Sequence, residues 1–154
     1  MTEAPDAMVP MAVQNDLRDG RKLLETMEPQ ERLAWRLDQF GARFALTTSF
    51  GIQSAVLLHM LSTLPGGDAV PVIWIDTGYL PPETYSYADQ LTDQLKIRLV
   101  VRQSEMSPAR MEALHGQLWE SGRVEDLETY HRIRKVEPLE QALNDLHTRC
   151  WASG

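Results

Sequence analysis

Phe44-Ala45-Leu46-Thr47-Thr48-Ser49-Phe50-Gly51-Ile52-Gln53-Ser54, followed by the apolar run Ala55 to Leu64, reads as a buried strand, a hydroxyl- and glycine-bearing turn, and a helix. In such a unit the N–H groups of the turn and of the first helical residues converge with no intrahelical carbonyl to receive them. The helix dipole adds roughly half a positive charge there. The turn is therefore a ready anion site, and a phosphate or sulfate is its natural occupant.

Outward from this unit, strands and helices alternate. Val70 to Ile75 is a continuous apolar run, the pattern of a parallel strand covered on both faces. Asp76-Thr77-Gly78-Tyr79 leaves its carboxyl end, and Pro81-Pro82-Glu83-Thr84 opens a helix whose core stripe is Thr84, Ala88, Leu91 and Leu95. Ile97 to Val101 predicts a third strand. Helices are expected over Glu28 to Phe40, Pro108 to Trp119 and Leu127 to Leu146, the last interrupted by Pro138. Arg149-Cys150-Trp151-Ala152 reads as a fourth strand. The pattern predicts an α/β fold, a parallel sheet layered with helices. Residues 1 to 20 show no sustained period and are expected to be a flexible N-terminal arm, leaving residues 21–154 as the domain. That a strand closes the chain with no helix after it suggests a fragment, incomplete at the C-terminus.

Composition narrows the function. At 154 residues the chain fits one domain with one core. A net charge of −7 argues against nonspecific binding to nucleic acid or acidic membranes, but not against a small anion. The one cysteine, Cys150, excludes an internal disulfide framework and any multi-cysteine metal site within this sequence. No segment approaches the roughly 20 apolar residues of a membrane span, and the N-terminus lacks the apolar core of a signal peptide. A cytoplasmic protein is expected.

Two segments reach the carboxyl edge of the sheet, where open α/β folds bind ligands: Thr48 to Gln53 and Asp76 to Tyr79. Each is either a ligand loop or an ordinary capped turn. Arg132, Arg134 and Lys135 form the one dense cation cluster, either a solvated face paired with Glu128 and Glu137 or a clamp for a multiply charged anion. His59, His115, His131 and His147 have no metal-ligand spacing. Asp89 and Asp93 share a solvated face, and Cys150 reads as an inert buried thiol.

Taken together, Thr48-Ser49-Phe50-Gly51-Ile52-Gln53, Ile75 to Leu80 with Pro82-Glu83-Thr84-Tyr85, Leu118-Trp119-Glu120 and Lys135-Val136-Glu137-Pro138-Leu139 resemble the phosphoadenosine phosphosulfate (PAPS) reductases of assimilatory sulfate reduction. Trp151 to Gly154 match the start of a further segment of that family. The resemblance implies a Rossmann-like, PP-loop adenine nucleotide alpha hydrolase-like fold. In related ATP pyrophosphatases the loop reads Ser-Gly-Gly-x-Asp-Ser. Here Gln53 stands at the acidic position, which favours holding a sulfonucleotide over cleaving ATP with magnesium.

The resemblance further implies that Thr48, Ser49, Phe50, Gly51 and Gln53 hold the phosphosulfate end of PAPS, and that Asp76, Thr77 and Gly78 border the nucleotide. Arg134 and Lys135 would face its anionic groups, and Gly154 would begin the next ligand-contacting loop. The family's nucleophilic cysteine lies in a later C-terminal tail, so no catalytic residue is assigned within this chain. That thiolate attacks the sulfate sulfur, releases adenosine 3′,5′-bisphosphate and leaves a cysteine S-sulfonate. Thioredoxin or glutaredoxin thiols then free sulfite. Related adenosine phosphosulfate reductases carry a cysteine pair for an iron–sulfur cluster where this chain has Tyr130-His131, so no cluster and no other cofactor or metal is expected. A homodimer is compatible with the resemblance; nucleic acid and membrane partners are not implied. Pro81 departs from the aromatic usual at its position. The competing readings are a PP-loop enzyme that adenylates a substrate with ATP, and a non-catalytic nucleotide-binding module.

Overall fold

A run such as Val70-Pro71-Val72-Ile73-Trp74-Ile75 has no charged side chain to offer water, so a strand made from it must be covered on both faces. A computed structural model describes residues 20–153 and places this strand inside the sheet. Elements are numbered in chain order. β2 (Pro71–Ile75) lies between β1 (Phe44–Thr48) and β3 (Arg98–Arg102), and β4 (Cys150–Ser153) pairs with the other edge of β1. All pairings are parallel and the order is β3-β2-β1-β4. Thr48 pairs with Trp74, and Thr47 with Ser153.

Successive side chains of a strand point to opposite faces, and the two faces receive different helices. Phe44, Leu46, Val72 and Trp74 pack with α1 (Pro29–Phe40), α2 (Ser54–Ser62) and α3 (Pro82–Leu95). Ala45, Ile73 and Ile75 pack with α6 (Glu137–Asp145) through Leu139, Ala142 and Leu143. A third, smaller cluster joins Met111 of α4 (Pro108–His115) to Leu118 and Ile133. The sheet is thus layered with helices on both faces, as expected.

Local chemistry explains the ends. Glu28 caps α1 in a capping box with Glu31, Pro29 sits in the first turn, and Gly41 ends the helix at φ +51. The core stripe of α3 is as read, with Ala88 buried and Asp89 and Asp93 exposed.

Several expectations shift. The helix expected to reach Trp119 stops at His115, because Gly116 takes φ +74. Pro138 does not interrupt the last helical segment. α5 (Val124–His131) continues through a π-turn over Arg132–Val136 directly into α6. Proline cannot donate an N–H to the carbonyl four residues back, and its ring crowds that carbonyl. The helix widens just before it, with the Glu137 N–H reaching back to the Arg132 carbonyl. The apolar helix α2 buries Leu58 and Leu61 but leaves Val56 exposed. Cys150 is half-buried, with Arg36 Nη1 3.5 Å from its sulfur. The arm expected over residues 1 to 20 falls, Gly20 aside, outside the described residues, as does Gly154; residues 20–25 are helical. Among the described residues no helix is long and apolar enough to cross a membrane.

Candidate functional site

The strand order reverses at β1, which has β2 on one side and β4 on the other. Such a reversal opens the crevice in which parallel sheets bind ligands, beyond the carboxyl ends of the strands. The turn after β1 sits at that crevice. Because Thr48 pairs with Trp74, the turn after β2 leaves beside it. Because Thr47 pairs with Ser153, β4 ends beside it too.

The first turn is pinned from within. Thr48 Oγ1 accepts the Phe50 N–H at 3.1 Å, and the Gly51 carbonyl accepts the Ser54 N–H at 2.9 Å. The left-handed position belongs to Phe50, at φ +54, and not to Gly51. A left-handed non-glycine residue costs about 1–2 kcal/mol. Burial of the Phe50 ring, edge-on to Trp74 with centroids 5.0 Å apart, offsets that cost. Phe50 was expected among the ligand-holding residues; its side chain is a core anchor, and its N–H is taken by Thr48 Oγ1. A Cβ on Gly51 would meet only Ser49 Oγ at 3.5 Å, so this glycine leaves its backbone uncovered and is not required by crowding. Ser49, Gly51, Ile52, Gln53 and Ser54 line an open cavity of about 290 Å³.

The second turn is a closed network. Buried Asp76 accepts the Gly78 N–H at 2.8 Å and the Tyr85 hydroxyl at 2.7 Å on Oδ1, and Gln103 Nε2 at 2.6 Å on Oδ2. Burial alone would raise its pKa. The hydrogen bonds from Tyr85, Gly78 and Gln103, helped by the charge of Arg134, outweigh burial and hold it below its ordinary value. The carboxylate therefore organises the turn. Thr77 is buried and Gly78 exposed, with φ +77. The sequence offered no signal for Gln103.

The cation cluster divides. Arg132 is exposed and pairs with Glu137 at 2.8 Å, as one of the two readings had it. Arg134 is 1% exposed. Its Nε donates to the Thr77 carbonyl at 2.9 Å, its Nη2 reaches the same oxygen, and its Nη1 donates to the Met106 carbonyl. Lys135 is exposed and makes no ion pair among the described residues. So of the two residues expected to face an anion, Lys135 is unpaired and Arg134 is engaged by backbone carbonyls.

Beside the second turn, Tyr79 packs against Trp119 (centroids 4.7 Å apart) and Tyr130 (6.1 Å), beneath the guanidinium of Arg134 at 5.6 Å. The Tyr79 hydroxyl donates to Glu112 Oε1 at 2.7 Å. Burial, then that hydrogen bond and the Glu112 charge, push the phenol up to about 12. Leu118-Trp119 and Tyr130 thus form the wall that supports the turn from Tyr79 outward.

The comparisons with known proteins agree with this fold. The phosphoadenosine phosphosulfate reductase domain profile matches residues 43–154, from the start of β1 through β4. A phosphoadenosine 5′-phosphosulfate reductase of Synechococcus sp. is 55% identical over 122 residues, covering 79% of this chain and 52% of the relative. One from Klebsiella pneumoniae is 48% identical over 138 residues, covering 90% of this chain and 55% of the relative. The chain therefore spans about half the length of the curated relatives it matches. The crystal structure of the phosphoadenylyl-sulfate reductase of Candida auris in its phosphate complex superposes with a TM-score of 0.76 at 29% identity, covering 91% of this chain and 66% of that one. The parallel sheet with its two edge turns, and the profile that runs along it, make this chain a member of the phosphoadenosine phosphosulfate reductase domain family.

Proposed function

We propose that this chain is the nucleotide-holding portion of a PAPS reductase, binding PAPS and its product adenosine 3′,5′-bisphosphate in the crevice beyond β1 and β2. The observation that carries the reading is the pair of adjacent turns: one presents uncovered N–H groups at a helix start, the other is braced from behind. Ser49, Gly51 and Gln53 hold the phosphosulfate end, on the electrostatics of converging N–H groups, while Thr48 and Phe50 brace the turn beneath them. Thr77 and Gly78, set by Asp76, border the nucleotide. Lys135 supplies the mobile positive charge for the anionic groups.

The reaction itself requires a thiolate that these residues do not supply, since Cys150 lies within β4. In the whole enzyme a cysteine thiolate attacks the sulfate sulfur and the sulfur–oxygen bond to the phosphate breaks. Adenosine 3′,5′-bisphosphate leaves, and the sulfonate stays on the cysteine. A thioredoxin thiolate then attacks the cysteine sulfur, sulfite departs with the electron pair, and the second thioredoxin thiol resolves the mixed disulfide. Gln53 in place of a carboxylate removes the group that would work with magnesium on a pyrophosphate.

Calorimetric titration of the chain with adenosine 3′,5′-bisphosphate and, separately, with magnesium ATP tests the assignment. Tighter binding of the bisphosphate is expected; preference for ATP would replace the reading with the adenylating one.

A further inference from the structure

Among the described residues Arg134 is the one buried cation. A buried guanidinium is costly unless its charge is compensated and its donors are satisfied. Among the described residues no carboxylate lies within ion-pair distance of it. Instead it spans two backbone carbonyls, Thr77 on the turn after β2 and Met106 on the turn after β3, over the face of Tyr79.

We propose that Arg134 is a positioning residue for the nucleotide crevice: one guanidinium clasps the turns after β2 and β3 and so sets the Thr77–Gly78 edge of the site, while its neighbour Lys135 meets the ligand. This deepens the nucleotide-holding role and rests on it. The fork matters because two carbonyls on different turns need donors fixed at a set angle and spacing. A lysine ammonium carries the same charge without that span.

Pro138 belongs to the same device. It is the residue four positions after Arg134, so the N–H it lacks is the one that would bond the Arg134 carbonyl, and its ring would crowd that oxygen in an α-helix. The π-turn over Arg132–Val136 is the local answer, and it is on this widened turn that Arg134 points inward. Gly78 completes the fit, since a Cβ there would sit 3.1 Å from Arg134 Nη2.

The test compares the unmodified chain with Arg134→Lys by amide hydrogen exchange and by titration with adenosine 3′,5′-bisphosphate at several salt concentrations. The Gly78 and Tyr79 amides of the unmodified chain should be protected without nucleotide, and Arg134→Lys should expose them while leaving those of Leu46 and Val72 protected. Bisphosphate affinity should fall at least about tenfold, on the scale of hydrogen bonds to a charged group, with its salt dependence unchanged. Free exchange at Gly78 in the unmodified chain, unaltered exchange in the variant, or an affinity loss that takes the salt dependence with it would overturn the clasp. Should the unmodified chain bind no bisphosphate, the nucleotide reading falls and the exchange measurements still decide the clasp. If Arg134→Lys does not fold, the Arg134 Nε–H of the unmodified chain decides it by proton exchange followed in nuclear magnetic resonance: held by the Thr77 carbonyl it should exchange slowly, and free exchange there would overturn the clasp.

Discussion

Asp76 and Arg134 hold the same peptide group from its two ends. Asp76 Oδ1 accepts the Gly78 N–H at 2.8 Å, and Arg134 Nε donates to the Thr77 carbonyl at 2.9 Å. The N–H and C=O of a trans peptide point opposite ways, so the two charged side chains grip the Thr77–Gly78 plane from both sides. Neither atom of that peptide is left to water, and the turn has one orientation.

Gly78→Ala should therefore be severe. The added Cβ would lie 2.7 Å from Pro108 Cγ and 3.1 Å from Arg134 Nη2, at a φ of +77. Left-handed strain and overpacking together predict a loss of about 2–4 kcal/mol in urea denaturation. Gly51→Ala, whose Cβ meets nothing closer than 3.5 Å, is the matched control and should cost under about 1 kcal/mol.

Lys135→Ala should weaken adenosine 3′,5′-bisphosphate binding by about 1–3 kcal/mol and flatten its dependence on salt. Arg132→Ala removes an exposed ion pair with Glu137, worth under about 1 kcal/mol of stability, and should leave binding unchanged. Equal effects of the two substitutions in calorimetry would take Lys135 out of the site.

Asp76→Asn replaces an acceptor with an amide nitrogen in a network where Oδ1 and Oδ2 both accept. A loss of about 1–3 kcal/mol at neutral pH is expected from the mispaired buried groups. The folded pKa of Asp76 is lowered, so its contribution is complete above the ordinary carboxylate range and is lost as pH falls through the depressed value. The difference in stability between wild type and Asp76→Asn should accordingly narrow only in acid, as followed by denaturation at stepped pH.

Two of the four tyrosines should ionise late. Tyr79 is raised to about 12 by burial and by Glu112, and Tyr85 is raised by its hydrogen bond to Asp76 and by burial. Both favour the neutral phenol in the folded state. Their stabilisation is present below the unfolded pKa of about 10 and is lost as pH rises through the folded value. An ultraviolet titration of phenolate should show a delayed step, which Tyr79→Phe and Tyr85→Phe each reduce. A single step near 10 in the wild type would contradict the buried network.

Much of this was legible in the chain because the determinants are local. Val70 to Ile75 could only be a two-faced strand, the helix read over Glu28 to Phe40 forms over Pro29–Phe40, and the hydroxyls and glycines after the first two strands marked the turns. The cation cluster was visible as a cluster, but its division was not. Arg132, Arg134 and Lys135 look alike as charges. Whether each meets solvent, two carbonyls or a ligand depends on the turn set by Pro138 and on Met106 and Thr77, which are distant in sequence. The same holds for Phe50, whose left-handed backbone is offset by Trp74 across the sheet, and for Gln103, which acquires its role only when β3 pairs beside β2. Period and turn chemistry follow from neighbours along the chain. Strand order, and which buried charge finds which carbonyl, follow from contacts that close long loops, and no local pattern encodes those.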